Sequence, residues 1–378
     1  MSNIGKNRFE NNRFLIFSIT FGIILVLFVL VGFLYKVVLD EANRGIERFI
    51  VLREPRPHQD ISKHPAKELL ESADGLVDRA YRLRVDKDGY IIPSRVHEKA
   101  DLSIVFLGGS TTECHYMNEE ERFPYIVGRR LEQMTGLRIN SYNSGMAGNN
   151  SLHSVFLLQG KVIPIRPKVV VFMECINDLA YLMYAGDYWA PHVTRGLVVD
   201  KEYNPIKTMI MKYLKSHNPL SSMNPDDEFA AFRKNKPVIT AESISAQYRK
   251  NVELFVYICR QHNIMPVLMT QFNRFTQNRS GAMKAKPAAF EVAGTSYEEF
   301  RTLYNALNDT LRRVATEQKV LLIDLDQLVP KSSELMYDTV HLLPRGSALV
   351  SDIIAKKLEP YLSTSSPNPA IKTNQLSE

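Results

Sequence analysis

From Phe14 to Tyr35 the chain carries no charged residue and reads FLIFSITFGIILVLFVLVGFLY. A helix of 22 residues rises about 33 Å, which matches a hydrocarbon core of about 30 Å. A signal peptide would have a shorter apolar region ending at a small-residue cleavage site. Lys36-Val37-Val38-Leu39-Asp40 offers no such pattern. A helix buried in a soluble core would rarely be apolar on every face for this length. The run predicts a retained transmembrane helix over 14–36, with 1–13 as a cytoplasmic tail. Lys6, Arg8 and Arg13 precede the span, and Lys36, Arg44, Arg48, Arg53 and Arg56 follow it, so the charge count alone does not orient it. A short basic tail before a first span usually stays in the cytoplasm. The expected location is therefore the cell inner membrane, single-pass, with the large C-terminal part periplasmic or otherwise extracytoplasmic.

After the span the pattern changes twice. Residues 37–100 lack a sustained period and read as a stalk or connector, with one helix near 64–73 and Pro55 and Pro57 ending any continuation of the first helix. From Asp101 short apolar runs recur at 102–107, 137–142, 168–173, 264–269 and 319–324. Amphipathic stretches at 119–135, 241–262, 297–317 and 346–361 lie among them. Continuous apolar strands alternating with helices predict a parallel sheet covered on both faces, with ligands beyond the C-terminal strand ends. Residues 181–240 interrupt the rhythm and read as an insertion or lid. Within it Ile206, Met209, Ile210, Tyr213 and Leu214 share a helical face flanked by Lys207, Lys212 and Lys215, which suits packing on the core or resting on a membrane. Residues 363–378, rich in Ser, Pro and Asn, read as a disordered tail.

Composition changes this picture little. Of 378 residues, 45% are hydrophobic and 23% charged, which excludes a wholly disordered or low-complexity chain. The net charge of +6 lies partly beside the apolar run and gives no reason to expect a nucleic-acid partner. Cys114, Cys175 and Cys259 are too few for a disulfide scaffold or a paired-cysteine zinc site. Cys114 and Cys175 both fall near the candidate site, where a disulfide or two buried thiols would each fit.

Chemistry-bearing residues follow the strands. FLGGSTTE puts Ser110 after the first run, where it could be a plain helix cap. NSGMAGNN after the second supplies Gly145 and Gly148, which could be ordinary turn glycines. ECIND after the third ends in Asn177 and Asp178, again residues suited to capping. YDTVHLLPRG after the last holds Asp338 and His341. Each segment is weak alone, but the topology brings all of them to one sheet edge.

In this order the set resembles the SGNH (GDSL-type) hydrolase family over 101–362, and a membrane-anchored bacterial member in particular. The resemblance implies a three-layer α/β/α sandwich with a parallel sheet of about five strands. It matches Ser110 to the nucleophile, Asp338 and His341 to its partners, and Ser110, Gly148 and Asn177 to the oxyanion hole. Gly109 stands where the family usually has Asp, and Cys175 where it usually has Gly. In such a triad His341 takes the Ser110 proton and Asp338 holds the imidazole tautomer.

Rival motifs are missing: the chain has no G-x-S-x-G, H-E-x-x-H or P-loop pattern. No metal or cofactor is implied, because triad chemistry requires neither. His115 is a candidate substrate-side group or a helix-surface histidine, and His153 and Glu113 are similar cases. Tyr181, Tyr188 and Trp189 could stack on a sugar ring or form a small core of the insertion.

The sequence thus predicts a membrane-anchored serine esterase or O-acyltransferase acting through an acyl-enzyme. The resemblance points to O-acetyl groups on a cell-envelope polysaccharide. A lipid or phospholipid ester is the second substrate class, and a non-catalytic binding module working with envelope-biosynthesis proteins is the alternative of another kind.

Overall fold

The computed structural model describes residues 4–42, 52–190, 237–275 and 295–362. The proposed amphipathic helix at 206–214, most of the expected insertion and the expected tail at 363–378 lie outside the described residues. The chain divides into two units, the first holding the N-terminal helix and the second starting at Arg48.

Helix α1 runs from Ile4 to Ala42. Its segment Arg13–Lys36 has a mean hydropathy of 3.1 and buries none of its side chains within the protein. Among the described residues it is the one helix long and apolar enough to cross a membrane.

The second unit is built on a five-stranded parallel sheet, β3 (Leu102–Gly108), β4 (Ile139–Asn143), β5 (Val169–Met173), β6 (Met265–Met269) and β7 (Leu321–Ile323), in the spatial order β4-β3-β5-β6-β7. These are the five apolar runs read from the sequence, shifted by at most two residues at their starts. Alternate residues of each strand face opposite layers. Val105, Leu107, Val170, Phe172 and Leu268 pack on one side under α5 (Ser151–Leu157), α6 (Ile176–Ala185), α7 (Ala241–Gln261) and α8 (Tyr297–Glu317). Ile104, Phe106, Val169, Val171, Val267 and Ile323 pack on the other under α4 (Phe123–Thr135) and α10 (Pro344–Leu362), which an Arg130–Asp352 ion pair also joins. The expected three-layer α/β/α sandwich is what the chain forms.

Two segments differ from the sequence reading. Tyr181–Ala185, placed at the start of an insertion, completes α6, because Leu179, Leu182 and Met183 continue its apolar face into the core. Residues 52–100, read as a connector, pack on the sheet unit. There β1 (Asp60–Lys63) pairs antiparallel with β2 (Tyr81–Arg84), and α2 (Lys67–Ser72) lies in the connection between them. Ile91 bridges to Asn143 and so covers the exposed edge of β4. Helix α2 is the one expected near 64–73; the two strands are too short to show a period, and only their pairing reveals them.

Candidate active site

Strand β3 ends at Gly108, and the four-residue helix α3 (Ser110–Glu113) begins at once. Gly109 supplies the joint. A Cβ there would lie 2.3 Å from Asn177 Nδ2, so the position has room only for glycine, and the Asn177 amide sits directly against the residue preceding Ser110. Asn177 comes from the first turn of α6, just past the end of β5, and is buried. On the other flank the Asn149 carbonyl oxygen lies 3.3 Å from the same Cβ position. The loop after β4 thus closes over the joint, turning at Gly148 with φ +78°, a left-handed conformation glycine adopts without strain.

Asp338 and His341 arrive from the loop between α9 (Leu325–Leu328) and α10. His341 Nε2 lies 2.8 Å from Ser110 Oγ, and His341 Nδ1 lies 2.7 Å from Asp338 Oδ2. Asp338 Oδ1 accepts the backbone N–H groups of Val340 and His341 at 2.9 and 2.8 Å, so the carboxylate is held by its own loop. The Tyr337 ring stacks on the imidazole, with centroids 5.4 Å apart and planes 8° apart. Burial alone would push the Asp338 carboxyl up, but the facing His341 and the two loop N–H groups hold it below the ordinary carboxylate range. Burial alone would lower His341; the Asp338 carboxylate, with a contribution from Glu113, lifts it above the ordinary histidine value. The arrangement can hold Nδ1–H toward Asp338 and leave Nε2 to accept the serine proton.

Ion pairs and hydrogen bonds from three directions brace the loops that meet here. Glu113 accepts the Ala147 N–H at 2.7 Å, next to Gly148, and pairs with Lys63 of β1 at 2.7 Å and with His115 at 3.2 Å. Burial would raise the Glu113 carboxyl, but His115 and Lys63 bring it down to about 2, so it is ionised. Asp74 accepts from Arg274 at 2.9 Å, while the Asp74 N–H donates to the Tyr337 carbonyl at 2.8 Å. Arg53 Nη1 donates to Asn149 Oδ1 at 2.5 Å.

The sequence-derived residues sort as follows. Ser110, Asp338 and His341 come together, and Asn177 and the Gly148 loop flank them. His115 is half-buried and joined to Lys63 and Glu113 through its Nε2. Tyr181 is a correction. Its ring is fully buried against Tyr188 and its hydroxyl donates to the Ala190 carbonyl at 2.5 Å, so it is a core residue with no face for a sugar. Trp189 is 72% exposed on the turn after α6. Asp178 accepts the Ser151 N–H and the Tyr188 hydroxyl, and burial pushes its carboxyl up to about 6. All three cysteines are free and buried, with Cys114 pushed up to about 12 by burial. Lys63, Asp74 and Arg274 escaped the sequence reading. Glu113, considered from the sequence alongside His115, is buried one helical turn after Ser110.

Residues 106–349 match the profile of the GDSL-like Lipase/Acylhydrolase family. Among solved structures, a lipase/acylhydrolase from Enterococcus faecalis is similar with 15% identity and a TM-score of 0.43, covering 70% of this chain and 100% of its own. Axe2, an acetylxylan esterase from Geobacillus stearothermophilus, is similar with 16% identity and a TM-score of 0.41, covering 68% of this chain and 94% of its own. Comparison with curated proteins gives no match. The family profile spans most of the sheet unit and includes every residue of the Ser110–His341–Asp338 chain. The protein belongs to the GDSL-like lipase/acylhydrolase family and is an SGNH-type hydrolase.

Proposed function

We propose that the protein is a membrane-anchored serine esterase or O-acyltransferase that works through an acyl-enzyme on Ser110. The observation carrying this reading is the continuous hydrogen-bonded chain from Ser110 Oγ through His341 to Asp338. A serine hydroxyl is a weak nucleophile until an adjacent base takes its proton. Here His341 Nε2 takes it as Oγ attacks the ester carbonyl, and Asp338 stabilises the imidazolium. The carbonyl oxygen becomes an oxyanion that the Ser110 and Gly148 N–H groups and the Asn177 side chain stabilise. His341 then returns the proton to the leaving alcohol. In the second half, water or an acceptor hydroxyl gives its proton to His341 and takes the acyl group from Ser110, and His341 returns the proton to the leaving Ser110 Oγ.

Helix α1 would serve as a single-pass anchor over 14–36, with the N-terminus cytoplasmic and the sheet unit periplasmic. The substrate class proposed is an O-acetylated envelope polysaccharide, with half-buried His115 and exposed Trp189 as substrate-side groups. Envelope-biosynthesis proteins would be its partners. A lipid ester is the second reading, favoured by the length and hydropathy of Arg13–Lys36.

The test uses the full chain in detergent. Turnover of p-nitrophenyl acetate should vanish in Ser110→Ala and His341→Ala. Acetyl groups appearing on an added glycan acceptor identify a transferase, and acetate release alone an esterase. Preference for long-chain esters would favour the lipid reading, and turnover unchanged in Ser110→Ala would contradict the mechanism. A topology reporter fused at Glu378 should report the periplasmic side.

A further inference from the structure

Gln271 lies two residues past the end of β6, at the sheet edge that carries the candidate site. Its side chain is 2% exposed. Nε2 donates to Thr111 Oγ1 at 2.9 Å, and Oε1 accepts the Ile176 N–H at 2.8 Å. Thr111 follows Ser110 directly, and Ile176 immediately precedes Asn177. One buried amide therefore spans the peptide neighbours of the nucleophile and of the oxyanion asparagine.

The bridge is itself anchored. The Gln271 N–H donates to Asn308 Oδ1 at 3.2 Å, and its carbonyl accepts from the Tyr304 hydroxyl at 3.0 Å and Asn308 Nδ2 at 3.1 Å. Both partners stand on α8, well inside the core. Ile176 is the first residue of α6, so its N–H has no acceptor within the helix and needs one from outside. The span asks for a donor at one end and an acceptor at the other, without charge. A glutamine side chain of this reach supplies both.

We propose that Gln271 is a positioning residue that sets the spacing between Ser110 and Asn177. The inference rests on the catalytic reading given above. An oxyanion donor acts only when held where charge develops, and a displacement of about 1 Å can cost on the order of a hundredfold in rate. Removing the bridge frees α6 and the Ser110 turn to move independently. Turnover should then suffer while substrate binding does not.

The experiment measures kcat and KM with p-nitrophenyl acetate on the full chain in detergent, per folded protein by near-ultraviolet circular dichroism. Ser110→Ala, Gln271→Met, Thr111→Val, the Gln271→Met/Thr111→Val pair and Thr111→Ser are compared. Gln271→Met should lower kcat by about tenfold to a hundredfold with KM within about twofold. Thr111→Val should fall the same way, and the pair should be no worse than Gln271→Met alone. Thr111→Ser, which keeps the hydroxyl, should recover most of the loss seen in Thr111→Val. Unchanged kcat in Gln271→Met, or losses that multiply in the pair, would overturn the proposal. If Gln271→Met does not fold, equal kcat for Thr111→Val and Thr111→Ser overturns it instead. A parent without Ser110-dependent turnover would overturn the catalytic reading, and this inference with it.

Discussion

Glu113, one helical turn beyond Ser110, accepts the Ala147 N–H at 2.7 Å. The helix that begins at Ser110 thereby holds the loop that carries Gly148. The carboxylate stays charged because Lys63 and His115 converge on it from outside the buried stretch. Glu113→Ala should leave the Ala147 N–H without its acceptor and loosen the loop. We expect a stability loss of roughly 1–3 kcal/mol by urea unfolding. Turnover should fall by about tenfold or more, because one oxyanion donor is no longer held. Retained kcat with unchanged stability would show that the loop is fixed by other contacts.

The same carboxylate sets an acid limit on folding. Its pKa is about 2, below the ordinary glutamate value, so the unfolded chain binds the proton more readily than the folded one. Its stabilising effect is present above the ordinary value near 4.5 and is lost as pH falls toward 2. Unfolding followed between pH 6 and pH 3 should therefore show a steeper loss for the parent than for Glu113→Gln.

The proposed triad predicts the opposite sign for activity at higher pH. The base must be neutral to take the Ser110 proton, and Asp338 raises His341 above the ordinary histidine value. The rising limb of kcat/KM against pH should therefore have its midpoint on the alkaline side of 6.5. The raised pKa also means that the charged pair stabilises the fold fully below 6.5, with that contribution lost as pH rises through the folded value. Asp338→Asn should move the limb to lower pH and lower kcat by on the order of 10⁴. A limb that does not move would assign it to another group.

Gly109 has no room for a side chain. A Cβ there would meet Asn177 Nδ2 at 2.3 Å, so Gly109→Ala must push the asparagine aside. We expect kcat to fall by up to about a hundredfold, from misalignment of the amide by about 1 Å. The fold should persist, since the conflict is local. Full activity in Gly109→Ala would argue against Asn177 as an oxyanion donor.

Much of this was legible in the chain. The five strands are continuous apolar runs such as KVVVFM and LSIVFL, which a sheet buried on both faces requires. Ser110, Asn177 and the Asp338-x-x-His341 pair stood just beyond strands or before a helix, and the parallel topology did the rest. What stayed hidden depends on contacts between distant segments. Lys63 reaches Glu113, and Asp74 reaches Arg274 two hundred residues away, from a stretch with no period to read. Gln271 looked like any polar residue after a strand until its two hydrogen bonds placed it. Tyr181 misled for a related reason: an aromatic in YLMYA fits a sugar platform or a core equally well, and only burial decides.

Arg274 offers a further check on that hidden segment. It is 4% exposed, so its charge relies on Asp74 and the Met336 carbonyl. Asp74→Ala should cost about 3 kcal/mol by leaving a buried cation without its carboxylate. It should also lower turnover, because Arg274, which donates to the Met336 carbonyl in the loop that presents His341, loses the carboxylate that holds it. A loss of stability without any loss of kcat per folded molecule would separate the brace from the site.

In the proposed mechanism Ser110 is the nucleophile and His341 its base. Intact-mass analysis of the full chain after exposure to a serine-reactive phosphonate tests it most directly. One adduct is expected on the parent, mapped to Ser110, none on Ser110→Ala, and slow labelling on His341→Ala. An adduct on another serine, or equal labelling of Ser110→Ala, would contradict it.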